Sequence, residues 1–236
     1  METISVTLTT QPKQKPADES ALGFGRLFTD HMFLMNYEEG KGWFHPRIVP
    51  YGCFDMDPAS MVLHYGQAIF EGTKCYRRED GGLQLFRPAD NLARMSRSAR
   101  RMGMPELDEE AALEGMKQLI RVDADWVPHT DGTSLYIRPT MISTDIGLGV
   151  HASKTYLFYI ILSPVGAYYK EGLKPVSIYV EDEFVRAVRG GVGFTKCAGN
   201  YAASILAGSV AEEKGFSQVL WLDGVEQKYV EEVGSM

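Results

Sequence analysis

The spacing of hydrophobic positions along the chain predicts strands, then helices, then strands again. Between residues 24 and 52, short apolar runs are interrupted by Gly, Pro and Asp, a pattern typical of strands joined by tight turns. Further along the period lengthens, and apolar side chains recur every three or four residues from Leu92 to Met102, as on one face of a helix. Gly103 and Pro105 are expected to end that helix.

A second helix is predicted from Asp108. Acidic residues fill its first turn, where the positive end of the helix dipole favours them, and apolar residues recur at helical spacing as far as Ile120. Two segments of β-branched and aromatic residues then have strand length, SLYIRPTMI (134–142) and YLFYIILS (156–163). The second is apolar enough to be buried on both faces. We interpret these strands and helices as a small α+β domain.

The segment PVGAYYKEGLKP, residues 164–175, contains two prolines and two glycines and predicts a boundary between domains. We therefore divide the chain into four parts. These are an extended or frayed N-terminal arm (1–20), a small N-terminal domain (21–165), an interdomain linker (166–175) and the start of a larger domain (176–236).

The larger-domain segment is expected to contain a strand, a helix and a hairpin. VSIYVE (176–181) alternates apolar and polar residues as a strand does, and NYAASILAGSVAEEKG (200–215) has the helical period and a C-terminal glycine suited to a left-handed cap. In SQVLWLDGVEQKYVEE (217–232), two strand-like runs flank Asp223-Gly224, which predicts a hairpin with a two-residue turn.

Composition and charge argue against several classes of protein. Of the 236 residues, 44% are hydrophobic, which is enough to fill a globular core. The net charge of -7 disfavours a nucleic-acid surface, which would need clustered Lys and Arg. The N-terminus lacks a signal-peptide pattern, and no stretch approaches the ~20 apolar residues of a membrane span. We expect a cytoplasmic protein that binds neither nucleic acid nor membrane.

The cysteines and histidines give no support for a metal site. The three cysteines are widely spaced and odd in number, which suits a reducing compartment better than a disulfide framework. The five histidines show neither HxH nor HExxH spacing. We therefore predict no metal centre.

Lys196 lies in an unusual setting, the segment GVGFTKCAGNYAAS (191–204). Its glycines could cradle a phosphate, but the segment lacks the Gly-Lys-Ser/Thr of a P-loop and the third glycine of a dinucleotide fingerprint. On local sequence alone, a glycine-rich turn with a lysine stem lying along the surface is favoured. The alternative is a desolvated amine that condenses with an aldehyde or ketone, with small neighbours leaving room for a flat ring.

Six segments, in order and at family spacing, carry a resemblance that extends from Phe24 to Met236. They are HYGQAIFEGTKCY (64–76), LFRPADNLARMSRSARRMGMP (85–105), SLYIRPTMI (134–142), LSPVGAYY (162–169), RGGVGFTKCAGNYAAS (189–204) and VLWLDGVEQKYVEEVGSM (219–236). Together they resemble a branched-chain amino-acid aminotransferase, a fold-type-IV enzyme that uses pyridoxal 5′-phosphate (PLP). The resemblance implies a homodimer with active sites near the domain interface.

The resemblance also implies a cofactor site. Lys196 would hold PLP as a Schiff base and later carry a proton between the substrate Cα and the cofactor. Glu232 would pair with the pyridine nitrogen, so that the ring can accept electrons. Tyr201 would hydrogen-bond the ring oxygen. Arg94 would bind the phosphate, although its helical period alone would make it a solvated arginine, and Arg186 would lie near the cofactor.

By the same resemblance, Tyr65, Phe70, Tyr136 and Tyr168 would line the substrate pocket or its mouth. Aromatic walls suit leucine, isoleucine and valine, because burying their branched side chains supplies binding energy. Arg138, two residues beyond Tyr136 and so on the same strand face, could bind the distal carboxylate of glutamate. The implied reaction moves the amino group of a branched-chain amino acid to 2-oxoglutarate, giving a branched-chain 2-oxo acid and glutamate.

The family's chains continue past GSM with an asparagine and further residues, so we expect this chain to be C-terminally truncated. Alone, it is expected to bind PLP weakly and to turn over little substrate. The nearest alternatives are a D-amino-acid aminotransferase and an aminodeoxychorismate lyase, which fit IFEGTK and LARMSRSARRMGMP less well. A folded but non-catalytic remnant, or an anion-binding module at residues 190–199, are alternatives of another class.

Overall fold

The computed structural model describes residues 2–166 and 175–234. The chain divides into two compact units, Met1–Tyr168 and Tyr169–Met236. Most of the linker predicted at 166–175 lies outside the described residues, so the predicted domain limits stay a prediction. Each unit is described by itself.

The first unit is built on an eight-stranded sheet. Its strands are β1 (Ser5–Val6), β2 (His31–Glu38), β3 (Gly42–Pro50), β4 (Ala68–Phe70), β5 (Thr73–Arg77), β6 (Leu83–Leu85), β7 (Ser134–Ser143) and β8 (Thr155–Val165). The order across the sheet is β1-β3-β2-β8-β7-β5-β6, and β4 also pairs with β7. Neighbours are antiparallel except β1, which runs parallel to β3. The two long strands predicted from apolar runs are β7 and β8.

Helices of the first unit begin and end where their local chemistry predicts. They are α1 (Met61–Tyr65), α2 (Pro88–Arg101) and α3 (Glu109–Val122), with 3₁₀ turns at Glu19–Ala21 and Ala124–Trp126. Pro88 opens α2, where its missing N–H costs no hydrogen bond, and Gly103 follows the helix with φ +65°. Asp108 caps α3 by accepting the N–H of Ala111 at 3.0 Å. Both predicted helices are confirmed.

The core of this unit lies between α3 and the sheet. Met116 and Leu119 of α3 and Phe33 of β2 are fully buried. At Gly115, a Cβ atom would lie 2.5 Å from the Phe33 ring, so glycine permits the close approach of helix and sheet.

The N-terminal arm is fastened more firmly than its composition predicts. Besides the pairing of β1 with β3, the Thr9 N–H donates to Nε2 of His31 at 2.9 Å. Nδ1 of His31 lies 2.6 Å from Oδ1 of Asp123, and both side chains are buried. Because Nε2 accepts, Nδ1 carries the proton that bonds Asp123. The Lys13 ammonium also donates to the Thr29 carbonyl at 2.7 Å.

The second unit is a small three-stranded sheet packed against a helix. Its elements are β9 (Ile178–Glu181), α4 (Ala198–Ala202), α5 (Ile205–Glu213), β10 (Gln218–Leu222) and β11 (Val230–Val233). Strand β10 is central, parallel to β9 and antiparallel to β11. The buried cluster comprises Ala207, Ala211, Val219 and Trp221, with Tyr179 and Phe216 against it.

Two details of the second unit correct the sequence prediction. The single helix predicted at 200–215 is divided into α4 and α5 by a turn at Ser204, where both the N–H (3.1 Å) and the hydroxyl (2.8 Å) donate to the Tyr201 carbonyl. The prediction of a two-residue turn at Asp223-Gly224 is wrong, because β10 ends at Leu222 and β11 begins only at Val230. The predicted left-handed glycine after the helix is confirmed at Gly215, with φ +82°.

Neither a membrane span nor a metal site is found among the described residues. No helix in residues 2–166 and 175–234 is long and apolar enough to cross a bilayer. Over the same ranges, no group of three or more His, Cys, Asp or Glu side chains could hold a metal ion.

The packing at Gly115 makes a prediction about stability. Gly115→Ala should lower the free energy of unfolding by about 1–2 kcal/mol, because overpacking against Phe33 outweighs the better helix propensity of alanine. Gly208→Ala is the control: it also lies in a helix, but its added Cβ would meet nothing within 4 Å. It should stabilise by roughly 0.5–1 kcal/mol. Urea unfolding of both variants provides the measurement, and a stabilised Gly115→Ala would contradict the packing argument.

Candidate functional site

Lys196 and Tyr201 lie in contact in the second unit. The Lys196 ammonium donates to the Tyr201 hydroxyl at 2.7 Å and lies 5.0 Å from the centre of the same ring. Lys196 ends the glycine-rich loop, and Tyr201 lies on α4, the short helix that starts two residues later. Both side chains are half-buried. The structure therefore brings together two of the residues that the resemblance implicates.

The loop before Lys196 is held in shape by backbone hydrogen bonds from side chains. Asn200, which is buried, donates from Nδ2 to the carbonyls of Val192 (2.8 Å) and Thr195 (3.0 Å). The Thr195 hydroxyl also donates to the Val192 carbonyl at 2.7 Å. A Cβ at Gly193 would lie 2.4 Å from the Cβ of Ala187, so glycine is needed for a close backbone approach. These contacts hold the backbone that leads to Lys196 in one conformation.

Arg186 and Glu232 form an ion pair in the same unit. Nε of Arg186 contacts Oε1 of Glu232, and the arginine side chain is only 10% exposed, against 42% for the glutamate. The Arg186 guanidinium carbon lies 5.7 Å from the centre of the Tyr201 ring. Lys196, Tyr201, Arg186 and Glu232 thus form one connected cluster. Glu231, beside Glu232, is exposed.

A loop that sequence reasoning treated as a simple turn leads into the strand that carries Glu232. The carboxylate of Asp223 accepts four backbone N–H groups, and β11 then places Glu232 opposite Trp221. These hydrogen bonds, from Glu226, Lys228 and Tyr229 above all, hold the pKa of the Asp223 carboxyl far below its usual range. The donors and distances are Val225 (3.1 Å), Glu226 (2.8 Å), Lys228 (2.9 Å) and Tyr229 (2.8 Å).

In the first unit, Arg94 is paired with a buried carboxylate. Its Nε and Nη2 donate to the two oxygens of Glu71 at 2.6 and 2.7 Å, a bidentate ion pair. The Glu71 side chain is fully buried, whereas 45% of the Arg94 side chain is exposed. Asn91, one turn before Arg94 on α2, also donates to Glu71, at 3.2 Å. Sequence reasoning singled out Arg94 but missed Glu71, which lies in the quoted IFEGTK segment.

Phe70, Tyr136 and Arg138 meet in a second cluster of the same unit. Tyr136 and Arg138 share one face of β7, and Nη2 of the arginine donates to the tyrosine hydroxyl at 2.8 Å. The guanidinium carbon lies 4.7 Å from the centre of the Phe70 ring. Arg138 Nε is buried and has no hydrogen-bond partner within the described part of the chain. A Cβ at Gly72 would lie 2.1 Å from the Tyr136 hydroxyl, so that glycine makes room for the cluster.

The two remaining predicted residues are placed differently. Tyr65 lies at the end of α1, is 41% exposed and donates from its hydroxyl to the Leu148 carbonyl. Tyr168 lies outside the described residues. The roles of these residues and of the two clusters stay predictions.

Comparison with known proteins shows what the chain is similar to. It is 61% identical over 235 residues to branched-chain-amino-acid aminotransferase 2 of Bacillus subtilis, covering 100% of this chain and 64% of the relative. It is 62% identical over 225 residues to branched-chain-amino-acid transaminase 1 of the same organism, covering 95% of this chain and 63% of the relative. The chain thus spans slightly less than two thirds of these relatives' length. No family model matches the sequence.

Solved structures of the same kind share the fold. The Escherichia coli branched-chain amino acid aminotransferase superimposes with a TM-score of 0.70 at 27% identity, over 86% of this chain and 62% of that one. A second branched-chain amino acid aminotransferase, solved with pyridoxamine 5′-phosphate, gives 0.67 at 26% identity, over 84% of this chain and 62% of that one.

These likenesses define the class first: the chain has the α+β fold of the fold-type-IV aminotransferases, as predicted. Within that class its sequence matches the branched-chain-amino-acid aminotransferases. The resemblance carried by the six segments is confirmed.

The Asp223 loop makes a prediction about pH. A carboxyl whose folded-state pKa is depressed stabilises the fold above its unfolded pKa of about 3.9, and the contribution is lost as pH falls toward the folded value. Asp223→Asn should therefore lower the melting temperature at pH 7, because an amide NH₂ would face backbone N–H donors. The deficit should shrink below about pH 4.

The measurement is thermal unfolding of the wild type and Asp223→Asn at pH 7, 5 and 3. Asp182→Asn, which alters an exposed aspartate of the same unit, is the matched control and should change little. A deficit that is equal at all three pH values would show that the ionised carboxylate is not what organises the loop.

Proposed function

We propose that the protein is a PLP-dependent transaminase that acts on leucine, isoleucine or valine. The observation that carries the proposal is the Lys196–Tyr201 contact of 2.7 Å on a rigid loop, in a chain whose relatives are branched-chain aminotransferases. One structural neighbour was solved with pyridoxamine 5′-phosphate, the amino form of the same cofactor.

The donor set fits PLP. The amine of Lys196, the phenol of Tyr201 and the carboxylate of Glu232 lie in one cluster. The amine suits the aldehyde of PLP, the phenol suits its ring oxygen and the carboxylate suits its pyridine nitrogen. Lys196 would attach the cofactor, Tyr201 would bind the ring oxygen and Glu232 the ring nitrogen. Arg186, already paired with Glu232, would hold that carboxylate in place. Arg94, as the resemblance implies, would bind the phosphate.

The chain's own residues would supply binding and proton transfer. Bound PLP provides the electron sink for the electrons left at the substrate Cα. The Tyr201 contact would hold Nζ of Lys196 in place, so that the lysine, in its neutral amine form, could accept the substrate Cα proton and pass it on. The loop before Lys196 would keep the lysine in this position, because Asn200 of α4 donates hydrogen bonds to two of the loop's carbonyls.

The second cluster of the first unit supports the choice of substrates. The rings of Phe70 and Tyr136 offer apolar surface to a branched side chain. Arg138 carries a buried Nε donor that lacks a protein partner among the described residues, which suits the distal carboxylate of glutamate or 2-oxoglutarate. The amino group would pass from the branched-chain amino acid to 2-oxoglutarate, giving a branched-chain 2-oxo acid and glutamate. Tyr65 and Tyr168 would complete the pocket.

We further propose that the protein acts as a cytoplasmic homodimer. The family resemblance supports the dimer, and the cysteine pattern supports the reducing compartment. Because the proposal concerns where the cofactor attaches, binding, rather than rate, is the quantity to measure.

The test is to trap PLP on the purified chain. After incubation with PLP, the visible absorbance is recorded, the adduct is reduced with borohydride and the labelled peptide is mapped. We expect the label at Lys196, and reduction accumulates it even when binding is weak. Lys196→Arg should abolish specific labelling.

The chain offers a matched control in a second lysine–tyrosine pair. Lys214 donates to the Tyr179 hydroxyl at 2.8 Å, but it is exposed and lies outside the glycine-rich loop. Lys214→Arg should leave the label at Lys196 unchanged. A label spread equally over Lys214 and Lys196, or no label at all, would exclude PLP attachment at the proposed site.

A further inference from the structure

Arg94, the arginine proposed to bind the phosphate, already contacts the carboxylate of Glu71. Two of its N–H groups donate to the two oxygens of that carboxylate. That carboxylate has no exposed surface, and burying it has a desolvation cost that Arg94 and Asn91 must offset. A solvated helix arginine would need no such partner.

Two effects of Glu71 on a bound phosphate oppose each other. Its negative charge weakens the attraction between Arg94 and an anion. Its bidentate contact fixes the plane of a guanidinium whose side chain would otherwise sample many rotamers. Because the five N–H groups of a guanidinium lie in one rigid fork, the two that bind Glu71 set the direction of the other three.

The anchoring of Glu71 decides between the two effects. Its backbone N–H donates to the Pro139 carbonyl at 2.9 Å, which ties it to β7 in the middle of the sheet. The Gly72 N–H and the Asn91 amide each reach Oε2 at 3.2 Å, so the carboxylate is held on several sides. A group so immobile serves as a fixed reference for the arginine.

We propose that Glu71 is a positioning residue that holds Arg94 in the orientation that binds the phosphate of PLP. The inference rests on the proposed function. The inference predicts the direction in which the affinity for phosphate changes. Removing the negative charge of Glu71 should weaken phosphate binding, whereas electrostatics alone would strengthen it.

The experiment compares PLP with pyridoxal, which lacks the phosphate, on the folded full chain. Glu71→Gln should raise the Kd for PLP about tenfold, the effect of losing one hydrogen-bonded charge contact, and leave that for pyridoxal within about twofold. In an Arg94→Gln background, Glu71→Gln should have no further effect on PLP binding. Glu106→Gln, which breaks the exposed Arg100–Glu106 pair, is the matched control and should change neither affinity.

Other outcomes overturn the inference. An unchanged or lower Kd for PLP in Glu71→Gln would show that charge, not position, governs the site. An equal loss for PLP and pyridoxal would indicate general damage to the fold. If Lys196 is labelled by PLP while these results are obtained, only the role of Glu71 fails; if the wild type binds no PLP, the proposed function fails and this inference with it.

A measurement on the wild type covers the case in which Glu71→Gln does not fold. The Arg94 Nε–H, bonded at 2.6 Å to a buried oxygen, should give a slowly exchanging resonance by nitrogen-15 NMR. Positioning requires this resonance to persist when PLP is added. Its loss on PLP binding would show that Arg94 leaves Glu71, which contradicts the proposal.

Discussion

Strand β7 constrains most of the candidate site in the first unit. It pairs with β8 along its whole length and with β4 and β5 on its other side, so a one-residue slip would reverse the face of every side chain. That register places Tyr136 and Arg138 on one face, and the Pro139 carbonyl anchors Glu71 at 2.9 Å. The aromatic–arginine cluster and the Glu71–Arg94 pair therefore depend on the same strand.

The second unit relies on polar side chains where the first relies on sheet register. Its apolar core is small, centred on Trp221, and cannot by itself fix the long loops around the sheet. Asn200 binds the carbonyls of the loop before Lys196, and Asp223 binds the N–H groups of the loop before Glu232. Lys196 and Glu232 thus each follow a loop in which side chains bind backbone polar groups.

Sequence periodicity predicted the elements that bury one face or both along their length. Helices α2 and α3 and strands β7 and β8 follow from it, because burial imposes a period on apolar positions. It failed at Ser204 and at Asp223, where one side chain bonds to the backbone and leaves no periodic trace. The Glu71 partner of Arg94 lies 23 positions away in sequence, so no local pattern could reveal it. Resemblance alone directed attention to Arg94.

Arg94 and Glu232, which the resemblance directs at the phosphate and the pyridine nitrogen of PLP, are already paired within the chain. Arg94 contacts Glu71 and Glu232 contacts Arg186, each with a partner less exposed than itself. Such pairing reduces the long-range attraction for an anion, but it removes the cost of ordering two flexible charged side chains when a ligand arrives. Recognition would then depend on the direction of hydrogen bonds more than on charge. This agrees with a protein whose net charge of -7 gives a phosphate no general attraction.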